Sequence, residues 1–517
     1  MTRVKKSLKN AWVAVTINIS LLLLAFFSRK YCIDFLGENI TGLNSTFSDI
    51  LGFLNLAELG VLSAVAYSLY KPIFEGDRDE VNNIMSILCY IYRIVGCVIL
   101  GVGTLLAFFL PQIYEDSGVT AEILLTGYFT FLTINLIGYF LNYRQNILVA
   151  DQRNWVIVSI TGINTIVRVV AQILILLYAQ ISPYEKYLWY LLLELISAFI
   201  FSIIINRKVA QLYPWLSSNF KRGRELRANY SHIFSKIRQV FSHKFGDFVL
   251  NKSDAFVISI ISSSFSAVTI FTNYTLIFSR LSRLCFSAFD NIGAGIGNLI
   301  AEGNGQNVYA TYRQLNSMFY IIGGVIFICG YHLTPPFIEL WLGEGDKFLL
   351  DNTLFIFILL NVYISVIRRI NELFLNAQGA FGDVFAPWVE AGLNLLISLY
   401  FGFKYGIIGV VLGTTVSTLI IGALWKPYYL YKIVFSKNSL RYFGLMLKYL
   451  ILTASVAYAS NYFEKLPIYT TIDSYVDWLL SAAILTISVV LSLIVLFFIF
   501  DAYTRKIVYR IFRRVKR

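Results

Sequence analysis

Runs of about 20 apolar residues, the length that crosses a bilayer as a helix, alternate along this chain with short polar or basic joins. Read this way, spans fall at 11–30, 45–70, 84–110, 121–143, 155–180, 187–206, 245–264, 269–300, 315–335, 351–376, 386–403, 407–430, 442–462 and 476–501. The pattern predicts an all-α polytopic membrane protein of about 14 transmembrane helices. The second, seventh and eighth spans are the least apolar. Each carries polar residues down one side, as helices facing an aqueous cavity do.

Composition agrees with lipid as the solvent. Of 517 residues, 57% are hydrophobic and 14% charged, and mean hydropathy is +0.67. The net charge of +13 points to topology rather than to nucleic acid, because the cations sit in short joins beside apolar spans. With the N-terminus inside, inside segments carry about 28 Lys and Arg and outside ones about 6. The largest contributors are 207–244 and 505–517. Both termini are therefore expected in the cytoplasm. The basic N-terminus lacks a cleavage site after its first apolar run, so that run should stay as the first helix.

The chain also resembles itself. Ile94-Val95-Gly96-Cys97-Val98-Ile99 matches Ile321-Ile322-Gly323-Gly324-Val325-Ile326, and Glu75-Gly76 matches Glu302-Gly303, both at an offset of 227 (323 − 96). Residues 145–152 match 371–378 at 226 (378 − 152). Consistent spacing of weak matches marks a duplication. Six spans per repeat give two parallel lobes about an axis along the membrane normal, with a path between them. The expected organisation is an N-lobe over 1–206, a basic inter-lobe loop over 207–244, a C-lobe over 245–431, and two further helices with a basic tail over 432–517.

Ionisable residues inside spans are costly and mark pathways or pairs. Asn273, Arg280, Arg283, Ser287 and Asp290 form one stripe at helical spacing; so do Asn361, Ser365, Arg368, Glu372 and Asn376. Asn164, Arg168 and Gln172 share a face, as do Asp247, Asn251 and Asp254 beside Lys252, and Asn44, Ser48, Asn55 and Glu58. Arg29 and Lys30 close the first span. The alternatives are plain. Arg29 and Lys30 could snorkel to the surface, Arg168 could pair with Glu390 or another carboxylate, and Arg368 and Arg369 could serve topology. Arg280 and Arg283 lie deep among polar neighbours and point to function. Together the stripes imply a hydrated cationic lumen, where guanidinium groups would hold a diphosphate by bidentate hydrogen bonds. Glu58, Asp254, Asp290 and Glu390, buried by depth, are candidates for coupling to an H+ or Na+ gradient.

Other chemistry is excluded or unsupported. There is no P-loop, and Gly293-Ala294-Gly295-Ile296-Gly297 lies within a span, where close packing or a hinge accounts for it. Cys32, Cys89, Cys97, Cys285 and Cys329 have no metal or redox spacing, and His232, His243 and His332 form no ligand pattern. Asn39 and Asn44 match glycosylation sequons incidentally. No catalytic set or resident cofactor is expected, and the joins are too short for a catalytic domain.

The stretch from Gly42 to Gly60, with Tyr67-Ser68-Leu69-Tyr70-Lys71-Pro72, Arg29 and Ile33-Asp34-Phe35-Leu36-Gly37 before it, resembles bacterial polysaccharide repeat-unit flippases of the Wzx type. These belong to the multidrug/oligosaccharidyl-lipid/polysaccharide exporter superfamily. The resemblance implies a MATE-like, V-shaped pair of six-helix lobes with two extra C-terminal helices in the inner membrane. It implies transfer of undecaprenyl-diphosphate-linked oligosaccharide units, for O-antigen, capsule or exopolysaccharide, through a cationic lumen by alternating access. Arg29, Lys252, Arg280 and Arg283 correspond to the basic positions of that lumen, and Arg168 and Arg368 join them from the stripes. Implied partners are a polysaccharide polymerase, a chain-length regulator and anionic lipids, without nucleic acid. Two alternatives remain: a multidrug or cation exporter of the same fold, and a non-transporting subunit of a glycan assembly complex.

Overall fold

The computed structural model describes residues 3–515 except 56–60, 290–291, 344, 381, 384 and 467–471. Within its helices, the side chains of 3–15, 239–240, 242–244, 246–248, 250–252, 511–515 and a few single positions are also outside the described set. The described residues are helical almost throughout, with no strand. In chain order the helices are α1 Arg3–Leu36, α2 Glu38–Leu54, α3 Val61–Glu75, α4 Arg78–Ile113, α5 Ala121–Leu141, α6 Asn146–Ala150, α7 Asn154–Tyr178, α8 Pro183–Leu212, α9 Phe220–Leu226 and α10 Ser231–Ser262. They continue as α11 Phe265–Phe289, α12 Ile292–Ala301, α13 Gly305–Leu342, α14 Asn352–Gln378, α15 Ala386–Tyr405, α16 Ile407–Thr418, α17 Lys426–Ile433, α18 Leu440–Ser460, α19 Tyr475–Phe500 and α20 Ala502–Val515. A π-helical stretch, Leu419–Trp425, joins α16 to α17.

Local sequence sets where these helices start. Asp77, Ser182, Asp351 and Ser474 each accept a first-turn backbone N–H, which satisfies donors a helix cannot satisfy itself. Ser182 and Glu185 complete a reciprocal capping box, with Pro183 at the first helical position. Most expected spans fall on a single helix, but 45–70 takes in parts of α2 and α3, 269–300 parts of α11 and α12, and 407–430 runs through α16, the π-helical stretch and α17. Nine helical segments, with the continuous run Ile407–Ile433 through α16, the π-helical stretch and α17 as one, are long and apolar enough to cross a membrane, among the described residues. With that many spans the chain is a multi-pass membrane protein.

The duplication is visible in the helix boundaries. α2 begins at 38 and α11 at 265; α4 begins at 78 and α13 at 305, so both pairs are 227 apart (265 − 38 and 305 − 78). α10 follows α1 at nearly the same interval. The chain divides into two compact units, Met1–Thr269 and Ile270–Arg517. α10 starts the second repeat by sequence, yet it packs on α2 and α3 within the first unit.

Residues 207–244, expected as a loop, are largely helical. α8 runs on to Leu212, α9 occupies Phe220–Leu226 and α10 starts at Ser231. The reason is a set of polar contacts with the start of α4. Asn82 donates to the Trp215 carbonyl and accepts from the Ser217 N–H; Arg222 donates to Asn83, and the Tyr230 hydroxyl to Glu80. Gly223 permits the approach, since a Cβ there would lie 2.0 Å from the Ser86 carbonyl oxygen.

In the second unit, α18 and α19 pack on α13 through buried Tyr320, Tyr449, Leu485, Leu493 and Phe497. Asp501, just beyond α19, ties this hairpin down. It accepts from Lys448 (2.9 Å), Arg313 (3.3 Å) and the backbone N–H groups of Tyr503 and Thr504 (3.1 and 3.0 Å), which also start α20. Burial alone would raise its carboxyl pKa, but Lys448 and the Thr504 N–H outweigh that and hold it below the ordinary aspartate value. The stabilisation is therefore complete above the unfolded pKa of about 3.9 and is lost as pH falls below it through the folded value. Asp501→Ala should release α20, read as faster hydrogen exchange over 502–510 at pH 7. In wild type the same acceleration should appear only below about pH 4.

Candidate functional site

Four groups of polar side chains among the described residues contain or adjoin the candidate site residues, two in each unit. The first is a clasp around the α10–α11 corner, where Ser263 takes a left-handed conformation (φ +46°). The Thr269 hydroxyl donates to the Glu38 carbonyl at 2.6 Å. Arg29 donates to the Thr269 carbonyl and to the Ser45 hydroxyl, both at 3.2 Å. Tyr114 and Ser259 hydroxyls meet at 2.8 Å. Gly42 lets α2 reach the corner: a Cβ there would lie 1.9 Å from the Phe265 carbonyl oxygen, which no side chain tolerates. Gly42→Val should therefore push α2 off the corner, lowering the thermal midpoint of the purified protein by several degrees; Ser45→Ala should shift it far less.

The second group joins α7 to α8. Arg168 is ion-paired with Glu194, which also accepts from Gln172 at 3.3 Å. Asn164 donates to the Ser197 carbonyl and hydroxyl. Of the two expected possibilities for Arg168, Glu390 or another carboxylate, the structure shows the second: its partner is the carboxylate of the next helix in its own unit. Asp254, on α10, accepts from Ser253 at 3.5 Å. Glu58 and the Lys252 side chain lie outside the described residues.

The third group is a buried ion network in the second unit. Arg368, 8% exposed, donates to Glu372 at 2.7 Å and to Glu390, 3% exposed, at 2.6 Å; Arg369 faces Glu372 at 3.5 Å. Lys426 pairs with Asp383 at 2.7 Å. The π-helical stretch packs Gly422 on the Arg368 side chain, 3.1 Å from where a Cβ would sit. Asn394, one turn from Glu390, donates to Thr414 at 2.8 Å. Arg368 and Glu390 thus neutralise each other. Glu390→Ala leaves a buried guanidinium short of charge and should cost on the order of 3 kcal/mol. Arg368→Met with Glu390→Leu should recover most of it, measured by chemical denaturation in detergent.

The fourth group differs. α11 packs Tyr274 and Phe278 against Phe355 of α14, at 5.2 and 6.3 Å between ring centres. At 100° per residue, Arg280 and Arg283 project about 180–240° away from Tyr274, on the opposite face. Arg283 is exposed and Arg280 half-buried. No carboxylate or hydrogen-bond acceptor partners either one among the described residues. One turn on, Phe286 carries Arg369 over its ring at 5.6 Å, so a third guanidinium lies beside this end of α11. Asp290 and the Ser287 side chain lie outside the described residues.

The sequence stripes therefore divide by role. Arg29, Arg168 and Arg368 are engaged by protein groups, whereas Arg280 and Arg283 have no acceptor among the described residues. Glu194 was missed, although a single carboxylate in the apolar run Leu191-Leu192-Leu193-Glu194-Leu195 marks an intramembrane partner. Gly42 and the Thr269 carbonyl carry no signal short of the fold.

No family model matches the chain, and no curated protein sequence does. Solved structures do. A lipid II flippase, MurJ, in an inward closed conformation superposes with a TM-score of 0.64 at 17% identity, covering 94% of this chain and 99% of that one. An inward-facing multidrug resistance MATE transporter of the MOP superfamily gives 0.54 at 14% identity, covering 80% and 97%. The fold is the one shared by these two structures.

Proposed function

We propose that this protein is a flippase that carries undecaprenyl-diphosphate-linked oligosaccharide units across the bacterial cytoplasmic membrane by alternating access. The observation that carries the reading is the pair Arg280 and Arg283: two guanidinium groups on one helix face, within a membrane-embedded repeat, with no acceptor among the described residues. A dianionic head group supplies what they lack. It can accept several charge-assisted hydrogen bonds at once, the geometry guanidinium groups favour. The lipid tail stays in the bilayer while the head group crosses along a hydrated face, so neither charge nor sugar enters hydrocarbon. The same arginines disfavour a cationic drug as cargo. A flippase is among the structures that share the fold.

The basic segments, including 505–510 on α20, are proposed to face the cytoplasm, where α20 meets anionic lipid. A polymerase and a chain-length regulator are the proposed partners downstream. Coupling to H+ or Na+ is proposed through a carboxylate at membrane depth, Glu58, Asp254, Asp290 or Glu390. Collapsing both gradients should then slow transport; unchanged flipping would remove coupling from the account.

Arg280→Gln with Arg283→Gln tests the cargo site. Loss of a charge-assisted bond costs about 1.5–3 kcal/mol, or about ten- to a hundredfold per arginine. The double variant should be made at normal levels, accumulate lipid-linked oligosaccharide on the inner leaflet and lose surface glycan. Normal surface glycan would refute the assignment.

A further inference from the structure

The second unit contains a cavity of about 780 Å³ that the ion network and the α11 stripe do not use. It lies at one end of the bundle, where the turn between α12 and α13, the end of α14 and the end of α17 meet. The same end carries Asp501 and the basic helix α20, since Arg313, two turns into α13, reaches Asp501. Its volume is in the range of small-molecule sites, about 300–1,000 Å³.

The walls have a definite chemistry. Glu302, Asn304, Gln306, Gln378 and Lys437 line it, with Phe435 as the aromatic component. Asn304 spends its carbonyl oxygen on the Asn307 N–H at 3.1 Å, capping α13, which leaves its NH2 donors to the cavity. Phe435 is fixed by Tyr312 and Tyr309, at 4.9 and 5.3 Å between ring centres. Three residues around the rim take left-handed conformations: Gly303 (φ +74°), Gly379 (φ +70°) and Ser436 (φ +49°). A non-glycine residue at positive φ is costly. Ser436 is held there because the N–H groups on either side, of Phe435 and Lys437, donate back to the Leu430 and Tyr431 carbonyls at 3.3 and 3.0 Å. The backbone is thus shaped to bring Phe435 and Lys437 to the rim together.

One carboxylate and one ammonium balance in charge, so the cavity does not select a polyanion. Three amides and a carboxylate present alternating donors and acceptors on planar groups, beside a rigid ring. A hydroxyl both donates and accepts, and adjacent sugar hydroxyls meet planar amides and carboxylates two at a time. The cavity also has a geometric relation to the arginines. Along α14, Gln378 lies nine residues beyond Arg369, about 14 Å of helix, and Arg369 sits over Phe286 next to Arg283.

We propose that this cavity is a saccharide site that receives neutral sugars of the cargo while Arg280 and Arg283 hold its diphosphate. The assignment of those sugars to the cargo rests on the flippase reading; the binding itself does not. The protein in lipid nanodiscs, free of lipid-linked substrate, is presented with three neutral probes: maltotriose, mannotriose and the N-acetylglucosamine trimer. Saturation-transfer NMR should detect at least one. Glu302→Ala with Gln378→Ala should abolish the signal, and the conservative Glu302→Gln should weaken binding at least tenfold. Both positions are exposed, and a monodisperse elution profile verifies the fold. Inorganic pyrophosphate at equal concentration should not displace the sugar. Absence of signal from all three probes, signal that survives the double variant, or displacement by pyrophosphate would each overturn the proposal. Trisaccharide binding without transport would instead refute the flippase reading and leave this site standing.

Discussion

A guanidinium group inside a membrane needs an acceptor or water, and the layout of this protein follows from how each arginine meets that demand. Lipid supplies neither. Arg168 and Arg368 find carboxylates on neighbouring helices of their own unit, and Arg29 finds a hydroxyl and a backbone carbonyl. These charges are internally answered and hold helices together. Arg280 and Arg283 have no such answer among the described residues, and their face of α11 is where water and an anionic head group are proposed to supply one.

The duplicated framework uses its two halves differently. Helix starts recur 227 positions apart, from α2 to α11 and from α4 to α13, which fixes equivalent scaffolds. The polar interiors laid on them are not equivalent. The α7–α8 pair has a single ion pair supported by amides, whereas α14 and α15, with the π-helical stretch, build a network around Arg368. A π-turn widens the helix locally, and here it brings Gly422 against that arginine. α10 belongs to the second repeat by sequence but packs in the first unit, and the clasp of Arg29, Gly42 and Thr269 secures the corner that follows it. A shared fold with a flippase and an exporter is compatible with either cargo. The proposed lipid-diphosphate cargo rests on the arginines of α11, not on the fold.

Much of this was legible before any coordinates. Span positions followed from apolar runs, and the duplication from an offset of 227 between weak matches. The stripes through Arg280 and Arg283 followed from helical spacing. What could not be read was which polar residues are mutually satisfied. Arg168 and Arg280 look alike in sequence; only three-dimensional packing shows that Glu194 answers the first. The expected loop over 207–244 failed for a related reason, since its ordering depends on Asn82, Ser86 and Gly223, residues whose partners are more than 100 positions away. Gly42 and the rim of the saccharide cavity depend on close approaches and backbone conformation, which composition does not record.

The claim that α11 presents its arginines to water rather than to lipid is tested most directly by thiol accessibility. Cysteine is placed at 280 and at 283 in a chain relieved of its five native cysteines, and intact cells or inverted vesicles are treated with a membrane-impermeant, negatively charged thiol reagent. Rapid labelling at both positions is predicted, and it should slow when a soluble diphosphate is present. A cysteine placed at the apolar-facing Tyr274 should stay unlabelled. Unreactive thiols at 280 and 283, matching 274, would mean that the face is buried in hydrocarbon or protein and would contradict the account.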